Sequence, residues 1–415
     1  MVRQHVNQCI NARLVLNHLI ILNAIKNSKQ MKVGVVGMGA MGQGIAQVAA
    51  MADCEVVVFD AFAPMLEKAK AELTKSLDNL VYKSKLSEDR AKVINSRYHW
   101  CHSLNELYNC ELIIEAVKED LDTKKKLFGE LSKIVSDQCI LASNTSSLSI
   151  TSLASSVLLP QRFIGIHFFN PAQILPLVEI IPAVQTEEQL TQSVLQIIKN
   201  FGKIPIQVKD TPGFVVNRIA RPFYGEALRI LEEGIADIYT IDWAMTELGQ
   251  FKMGPFTLMD FIGHDINYHV TETIFKDFYY DPRYKPSFTQ KRLVEAGYLG
   301  RKTGKGFYDY SKPIPVSKIE YNINLGKEIK NRIVVMLINE AAEALHLNIA
   351  SRDDIEIAMT KGVNYPRGLL KWADEIGIEE CVQRLDHLYN HYHEDRYRCS
   401  SILRKMSYEG KMFFK

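Results

Sequence analysis

The sequence lacks a surplus of charge of either sign, and its cysteines form no CxxC pair. The formal net charge of the 415 residues is +2, so the chain offers neither a basic field for nucleic acid nor an acidic tail. Seven cysteines are scattered along the chain, which argues against a disulfide framework and against a zinc site. We therefore expect no metal, reduced thiols in the cytoplasm, and partners that are small molecules or proteins and not nucleic acid or membrane.

Acidic residues are absent from the first thirty positions, which hold four basic residues and an interrupted apolar run. This run is too short and too polar to span a membrane. The pattern partly resembles a mitochondrial presequence, although serine and arginine are scarce. Met31 directly precedes the first good strand pattern, so we expect 1–30 to be a leader that is disordered or not native.

A glycine-rich turn follows that first strand pattern. Residues 31–60 contain a β-branched run, the spacing GxGxxG, an amphipathic helical segment and a second apolar run that ends in Asp60. This context is typical of a dinucleotide site, in which the glycines allow a tight turn and close approach of a pyrophosphate. Asp60 would bind the adenine ribose and repel a 2′-phosphate, which favours NAD over NADP. The predicted contacts of the turn are Gly37, Met38, Gly39, Ala40, Met41 and Gly42.

Polar residues follow the next two predicted strands. Glu119 and Lys124 come after the first of them, and "SNTSS" (143–147) comes after the second. Ligands lie beyond the carboxyl ends of the strands in an open α/β sheet, so both groups should face the ligand. The hydroxyl and amide side chains of "SNTSS" could instead cap a helix.

Two apolar runs carry one histidine and one acid. "RFIGIHFF" and "LPLVEII" each predict a strand, and "NPAQI" between them predicts a turn. Folded back on each other, these strands would bring His167 and Glu179 together. A buried acid needs a donor, and an imidazole held by a carboxylate could act as a general base. A lone buried histidine is more often only part of the core.

The motifs taken together resemble the NAD-dependent L-3-hydroxyacyl-CoA dehydrogenases of β-oxidation. The glycine turn, "SNTSS", "GIHFFNP", "PLVEII", "DTPGFVVNR", "MGPF" and "GRKTGKGFYDY" occur in the family's order and spacing from residue 31 onwards. The chain looks most like longer bacterial members that act on 3-hydroxybutyryl- or 3-hydroxyadipyl-CoA. The resemblance implies an α/β plus α fold, in which a Rossmann-like domain precedes two repeated all-helical domains.

The resemblance also implies residue roles. His167 would take the proton of the 3-hydroxyl, with Glu179 as its acidic partner, while Ser146 and Asn217 would contact the substrate oxygen. The positions that match NAD contacts are Glu119, Lys124, Ser146, Asn170 and Lys302. The positions that match coenzyme A contacts are Ser76 and Lys83, on a segment that could equally be a solvated helix face.

A repeat in the second half is visible without reference to any family. Residues 217–263 align with 331–377 at a constant offset, and "DPRYKPS" is echoed by "EDRYRCS". We expect a leader (1–30), an NAD-binding domain (31–212), a helical domain (213–310), a linker (311–328) and a second helical copy (329–415). The second copy would cover the first within one chain, and a homo-oligomer remains an alternative.

Other functional classes stay open at this point. A dehydrogenase of a sugar acid or another small hydroxy acid would keep the same glycine turn and the same His–Glu pair. A non-catalytic NAD-binding protein would not need the four residues His167, Glu179, Ser146 and Asn217 together.

Overall fold

The computed structural model describes residues 31–313 and 319–414, and the chain divides into two units between Asp210 and Thr211. The expected leader lies outside the described residues, as does the central part of the expected linker. Within the described ranges, no helix combines the length and the apolar character that a membrane crossing requires.

The first unit is built on one eight-stranded sheet. Its strands are β1 (Lys32–Val36), β2 (Glu55–Phe59), β3 (Tyr98–Cys101), β4 (Leu112–Glu115), β5 (Ile140–Ser143), β6 (Phe163–Phe168), β7 (Leu177–Pro182) and β8 (Ile204–Gln207). Its helices are α1 (Ala40–Met51), α2 (Ala63–Tyr82), α3 (Glu88–Asn95), α4 (Leu121–Ile134), α5 (Ile150–Ala154) and α6 (Glu188–Asn200). The spatial order of the strands is β3-β2-β1-β4-β5-β6-β7-β8.

The first six strands run parallel, and their order reverses beside β1, which pairs with β2 on one side and β4 on the other. The strands are short β-branched runs whose side chains are mostly buried, as expected of a parallel sheet covered on both faces. A crevice for a ligand forms at such a reversal, beyond the carboxyl ends of the strands. The prediction of a Rossmann-like domain is therefore confirmed.

Strand β7 runs antiparallel to β6 and parallel to β8. The turn between β6 and β7 thus folds the chain back, as the two apolar runs predicted. The register places His167 directly opposite Glu179. Because side chains alternate between the faces of a sheet, directly opposed residues share a face and their side chains can meet.

The second unit is helical. Its helices are α7 (Val216–Ile219), α8 (Arg221–Glu232), α9 (Ile238–Trp243), α10 (Pro255–Ile262), α11 (His264–Asp277), α12 (Phe288–Glu295), α13 (Ile323–His346), α14 (Arg352–Ile357), α15 (Leu369–Ile376), α16 (Ile378–Tyr392) and α17 (Ser401–Glu409). Helix α13 begins inside the segment expected to be a linker. The side chain of Asn322 explains this start, because its Oδ1 accepts the N–H groups of Asn324 and Leu325 and so caps the helix.

Helix α13 packs along α8, and two buried ion pairs join the helices at the start of the unit to α13. Arg218 Nε lies 2.6 Å from Glu340 Oε1, and Arg332 Nε lies 3.0 Å from Glu226 Oε2. Arg332 and Glu340 each stand 114 positions after Arg218 and Glu226 (332 − 218 = 340 − 226). In each ion pair, the arginine of one copy of the repeat thus binds the glutamate of the other copy, and the two pairs are reciprocal.

Two tyrosines complete the same reciprocal pattern. The hydroxyl of Tyr284 donates to Glu340 over 2.6 Å, and that of Tyr397 donates to Glu226 over 2.9 Å. Both tyrosines come from the echoed segments "DPRYKPS" and "EDRYRCS". Each buried carboxylate is thus held by an arginine and a tyrosine, which offsets the cost of removing it from water.

Candidate active site

The glycine turn after β1 has the geometry that a dinucleotide phosphate requires. Gly37 has φ 94°, which favours glycine, and its N–H donates to the carbonyl of Phe59. A Cβ on Gly42 would lie 1.8 Å from the carbonyl oxygen of Gly37, so only glycine fits there. A Cβ on Gly39 would meet nothing within 4 Å. The backbone is thus open at the N-terminus of α1, where no side chain caps the helix, and phosphate oxygens could bind the N–H groups.

The side chain of Asp60 is fixed at the end of β2 by the turn itself. One carboxylate oxygen accepts the N–H of Met38 over 2.7 Å, and the other accepts the N–H of Phe62 over 2.9 Å. Met38 contributes its backbone to the turn, since its side chain is fully buried, whereas Ala40 is exposed and Met41 half-buried. Each oxygen of Asp60 keeps a further lone pair that could accept a ribose hydroxyl. The residues present therefore fit an NAD-type dinucleotide.

A buried ion pair lies at the neighbouring strand ends. Lys124 Nζ lies 2.6 Å from Glu115 Oε1, and both side chains are at most 1% exposed. The hydroxyl of Ser143 donates to the other oxygen of Glu115 over 2.6 Å. The sequence reasoning missed Glu115, although an acid that ends the apolar run "LIIE" was the available signal. Lys124 was predicted to contact NAD, and the structure places its ammonium group against carboxylates.

Glu119 connects this ion pair to the "SNTSS" loop. Its carboxylate accepts the N–H of Ser146 over 3.1 Å and the hydroxyl of Thr145 over 2.5 Å, and it lies 3.1 Å from Lys124 Nζ. Burial raises the pKa of Glu119, but Lys124 and the donated hydroxyls outweigh burial, so the pKa falls below its usual value. A charged Glu119 therefore anchors the loop that carries Ser146.

The alternative interpretation of "SNTSS" (143–147) as a helix cap is wrong for all five residues. The cap of α5 is Ser149, whose hydroxyl accepts the N–H of Ser152. Asn144 instead accepts the N–H of Phe168 over 2.8 Å and so ties the loop to the end of β6. The loop and the strand that carries His167 are thereby held together within the first unit.

His167 and Glu179 form a short contact in the sheet. His167 Nδ1 lies 2.6 Å from Glu179 Oε2, with the histidine side chain 7% exposed and the glutamate fully buried. The ring of Phe169 lies beside the imidazole at a centroid distance of 4.5 Å. In the neutral imidazole the Nδ1–H donates to the carboxylate, so Nε2 carries the lone pair that can accept a proton. The predicted pairing of these two side chains is confirmed.

Three further predicted residues of the first unit lie away from these contacts. Asn170 is exposed, directly after β6. Ser76, on α2, donates its hydroxyl to Gln47 over 3.0 Å. Lys83 is exposed at the C-terminal end of α2. Their predicted contacts with NAD and with coenzyme A stay predictions.

Two predicted residues belong to the second unit. Asn217 lies half-buried in α7, and its backbone carbonyl accepts a hydrogen bond from Arg221. Lys302 is partly exposed and binds Asp265 over 2.5 Å. Neither contact tests the roles that the resemblance implies. Nowhere in the described residues do three or more His, Cys, Asp or Glu side chains form a group that could hold a metal ion.

Comparison with known proteins identifies the class. Residues 32–211 match the family described as "3-hydroxyacyl-CoA dehydrogenase, NAD binding domain". Residues 213–310 and 329–413 match the "3-hydroxyacyl-CoA dehydrogenase, C-terminal domain". The chain belongs to the 3-hydroxyacyl-CoA dehydrogenase family. It is therefore an NAD-dependent oxidoreductase that acts on 3-hydroxyacyl-CoA.

Individual relatives cover most of the chain. The 3-hydroxyadipyl-CoA dehydrogenase of Escherichia coli is 33% identical, over 90% of this chain and 96% of that protein. A probable 3-hydroxybutyryl-CoA dehydrogenase of Deinococcus radiodurans is 42% identical, over 68% of this chain and all of the relative. The crystal structure of 3-hydroxybutyryl-CoA dehydrogenase from E. coli K12 is similar with a TM-score of 0.86 and 31% identity, over 91% of this chain and 98% of the other.

Proposed function

We propose that the chain interconverts a short-chain (S)-3-hydroxyacyl-CoA and the 3-ketoacyl-CoA, in fatty-acid or aromatic-acid degradation. The observation that carries the proposal is the buried pair of His167 and Glu179 near the carboxyl end of β6. The glycine turn after β1 lies at the same edge of the sheet, because β1 and β6 both belong to its parallel part. The names of the relatives favour a hydroxybutyryl or hydroxyadipyl group. Buried thiols at Cys54, Cys101, Cys110, Cys139, Cys381 and Cys399 support a cytoplasmic location.

The proton is the part of the reaction that this chain's own residues handle. Bound NAD supplies the acceptor for the hydride that leaves C3. Nε2 of His167 takes the proton of the 3-hydroxyl as the carbonyl bond forms. Glu179 stabilises the imidazolium that results, since its carboxylate is 2.6 Å from Nδ1. The same groups return the proton when the ketone is reduced.

Ser146 and Asn217 would position the substrate oxygen. The N–H of Ser146 is bound by Glu119, which fixes the backbone and leaves the hydroxyl as a donor toward the substrate and NAD. Asn217 would donate from its amide to the oxygen on C3. We assign Glu115 and Lys124 a positioning role, because Lys124 holds Glu119 and is 1% exposed.

We also propose that residues 329–413 are a second copy of the helical domain and cover the first copy. The reciprocal ion pairs support this, as do local features that recur 114 residues apart. Gly263 and Gly377 have φ 100° and 99°, and π-helical segments occur at 244–248 and 358–362. Asp260 accepts the N–H groups of Phe307 and Tyr308, and Asp374 likewise accepts those of Phe413 and Phe414. A pseudo-twofold arrangement gives such reciprocal contacts.

The dependence of turnover on coenzyme A tests the proposed function. We expect NAD to be reduced with 3-hydroxybutyryl-CoA and not with free 3-hydroxybutyrate at the same concentration. Initial rates of NADH formation measure this, and acetoacetyl-CoA with NADH measures the reverse direction. Turnover of free hydroxy acids or sugar acids without coenzyme A would favour the alternative dehydrogenase instead.

The charge of Asp60 should set the preference for NAD over NADP. Asp60→Asn keeps an acceptor for the N–H of Met38 but removes the negative charge that repels a 2′-phosphate. We expect the ratio of kcat/KM for NAD to that for NADP to fall by at least about tenfold. Asp60→Ala should also weaken the binding of NAD, because the turn loses the hydrogen bonds that the carboxylate accepts. A wild-type protein that prefers NADP would contradict the placement of Asp60 at the ribose.

A further inference from the structure

Arg221 is a buried cation that has no acidic partner among the described residues. Its side chain is 6% exposed, at the start of α8. Nε donates to the carbonyl of Asn217 over 2.9 Å, and Nη1 donates to the hydroxyl of Thr271 over 3.0 Å. The guanidinium also lies over the ring of Tyr224, 4.9 Å from its centroid. None of the described carboxylates lies within ion-pair distance, which is costly for a charge removed from water.

Another buried arginine of the second unit, Arg218, shows how an acidic partner offsets the cost of removing such a charge from water. Burial lowers the pKa of Arg218, but Glu340 raises it more, so the pKa ends above its usual value. Burial also lowers the pKa of Arg221, and there the decrease prevails because only tyrosines oppose it. An anion beside Arg221 would supply the missing partner.

A cavity of about 280 Å³ adjoins Arg221. Its lining includes a second cation without an acidic partner among the described residues, Lys285, which is exposed. Of the carboxylates in the lining, Glu233 is paired with Arg332 and Glu394 with Arg396, whereas Glu232 accepts the hydroxyl of Ser287 and keeps its charge. Among the described lining residues, the two cations Arg221 and Lys285 outnumber the one carboxylate without a cationic partner, Glu232, so the cavity favours an anion over a cation.

The position of Arg221 relative to Asn217 limits the length of an acyl chain that could contact both residues. Helical side chains lean toward the N-terminus of their helix, and here Nε reaches the carbonyl of Asn217. The guanidinium therefore lies within about one helical turn, or roughly 5.4 Å, of the turn that carries Asn217. In a six-carbon acyl chain, three carbon–carbon bonds separate C3 from the terminal carbon, which is a shorter span than one such turn.

We propose that Arg221, at the edge of this cavity, binds the terminal carboxylate of a dicarboxylic 3-hydroxyacyl-CoA with an acyl chain of about six carbons, while Asn217 contacts the oxygen on C3. The inference rests on the function proposed above, and it names the substrate class within it. Arg221 is then a specificity-determining residue, since a methyl end would leave the buried guanidinium unpaired.

Two esters that differ only at the end of the acyl chain test the proposal. We expect the wild-type protein to have a higher kcat/KM for 3-hydroxyadipyl-CoA than for 3-hydroxyhexanoyl-CoA. Arg221→Met should lower that ratio by about 100-fold, mainly through KM for the dicarboxylic ester. Arg221→Lys should retain part of the preference because it keeps the charge. The matched control is Arg292→Met, at an exposed arginine of α12, which should leave the ratio unchanged.

Three outcomes separate the hypotheses. If Arg221→Met lowers kcat for both esters alike, Arg221 acts by positioning Asn217 and the carboxylate assignment is overturned. If the wild-type protein prefers the hexanoyl ester, the inference fails but the proposed function stands. If neither ester is turned over with NAD, the proposed function itself fails. Should Arg221→Met not fold, stronger inhibition of wild-type turnover of 3-hydroxybutyryl-CoA by adipyl-CoA than by hexanoyl-CoA supports the assignment, and equal inhibition overturns it.

Discussion

Replacement of His167 by Gln is expected to lower kcat by roughly 10²–10⁴ while NAD binding and the fold persist. Glutamine can keep a hydrogen bond to Glu179 but cannot accept the proton of the 3-hydroxyl. His167 is buried in β6, which pairs with β5 through residues 163–165 and with β7 through residues 164–168. The substitution should therefore abolish proton transfer and leave the sheet in place. Single-turnover and steady-state rates on 3-hydroxybutyryl-CoA measure the loss.

The matched control is His99→Gln, at an exposed histidine of β3 in the same sheet. We expect this variant to keep wild-type rates. The Kd of NAD for the His167→Gln variant, measured by titration calorimetry, should stay within about threefold of the wild-type value, because the glycine turn follows a different strand. Near-normal turnover in the His167→Gln variant would remove His167 from the role of base.

The sequence predicted this pair of residues because the pattern around it is simple. Two short apolar runs with a turn between them leave few ways of folding, and one acid in such a run needs one donor. The glycine turn was also predictable from a simple local pattern, since only glycine fits at positions 37 and 42. Local conformational rules and the pairing rules of sheets are therefore sufficient to predict the His–Glu pair and the glycine turn.

The sequence did not predict which of several neighbouring polar side chains pair with one another. Glu119, Lys124 and Ser143 were predicted as polar groups near strand ends and Glu115 was missed, because the sequence does not say which of these side chains satisfy one another. The structure shows that Lys124 lies between two carboxylates. A strand-end position thus indicates that a residue is near a ligand site, and burial then decides whether it can touch the ligand.

The repeat shows the same limit on a larger scale. Its constant offset predicted that two sets of helices could cover each other. It did not predict that Arg218 and Arg332 would exchange partners, because a cross-pairing of Glu226 and Glu340 follows from three-dimensional geometry and not from spacing along the chain. Equivalent buried charges at equivalent positions could also have been satisfied within each set.

Truncation after Tyr310 should cause the remaining chain to associate into dimers or larger aggregates. Removal of α13 uncovers the face of α8 against which it packs, and an exposed apolar patch above a few hundred Å² marks an association site. Arg218 would also lose Glu340 as its partner, and a buried charge left without its partner costs about 3–5 kcal/mol. Pairing of two truncated chains through this face would restore both kinds of contact, with Arg218 of each chain beside Glu226 of the other, the equivalent of Glu340.

Light scattering of the full-length and truncated proteins over a range of concentrations measures the number of chains per particle. The matched control carries a protease site in the segment 311–320 and is cleaved after purification, so it gains the same kind of chain end while the covering helices stay in place. We expect the cleaved protein to keep the size of the full-length protein and the truncated one to grow with concentration. A truncated protein that stays soluble, with no more chains per particle than the full-length one, would show that the second set of helices does not cover the first.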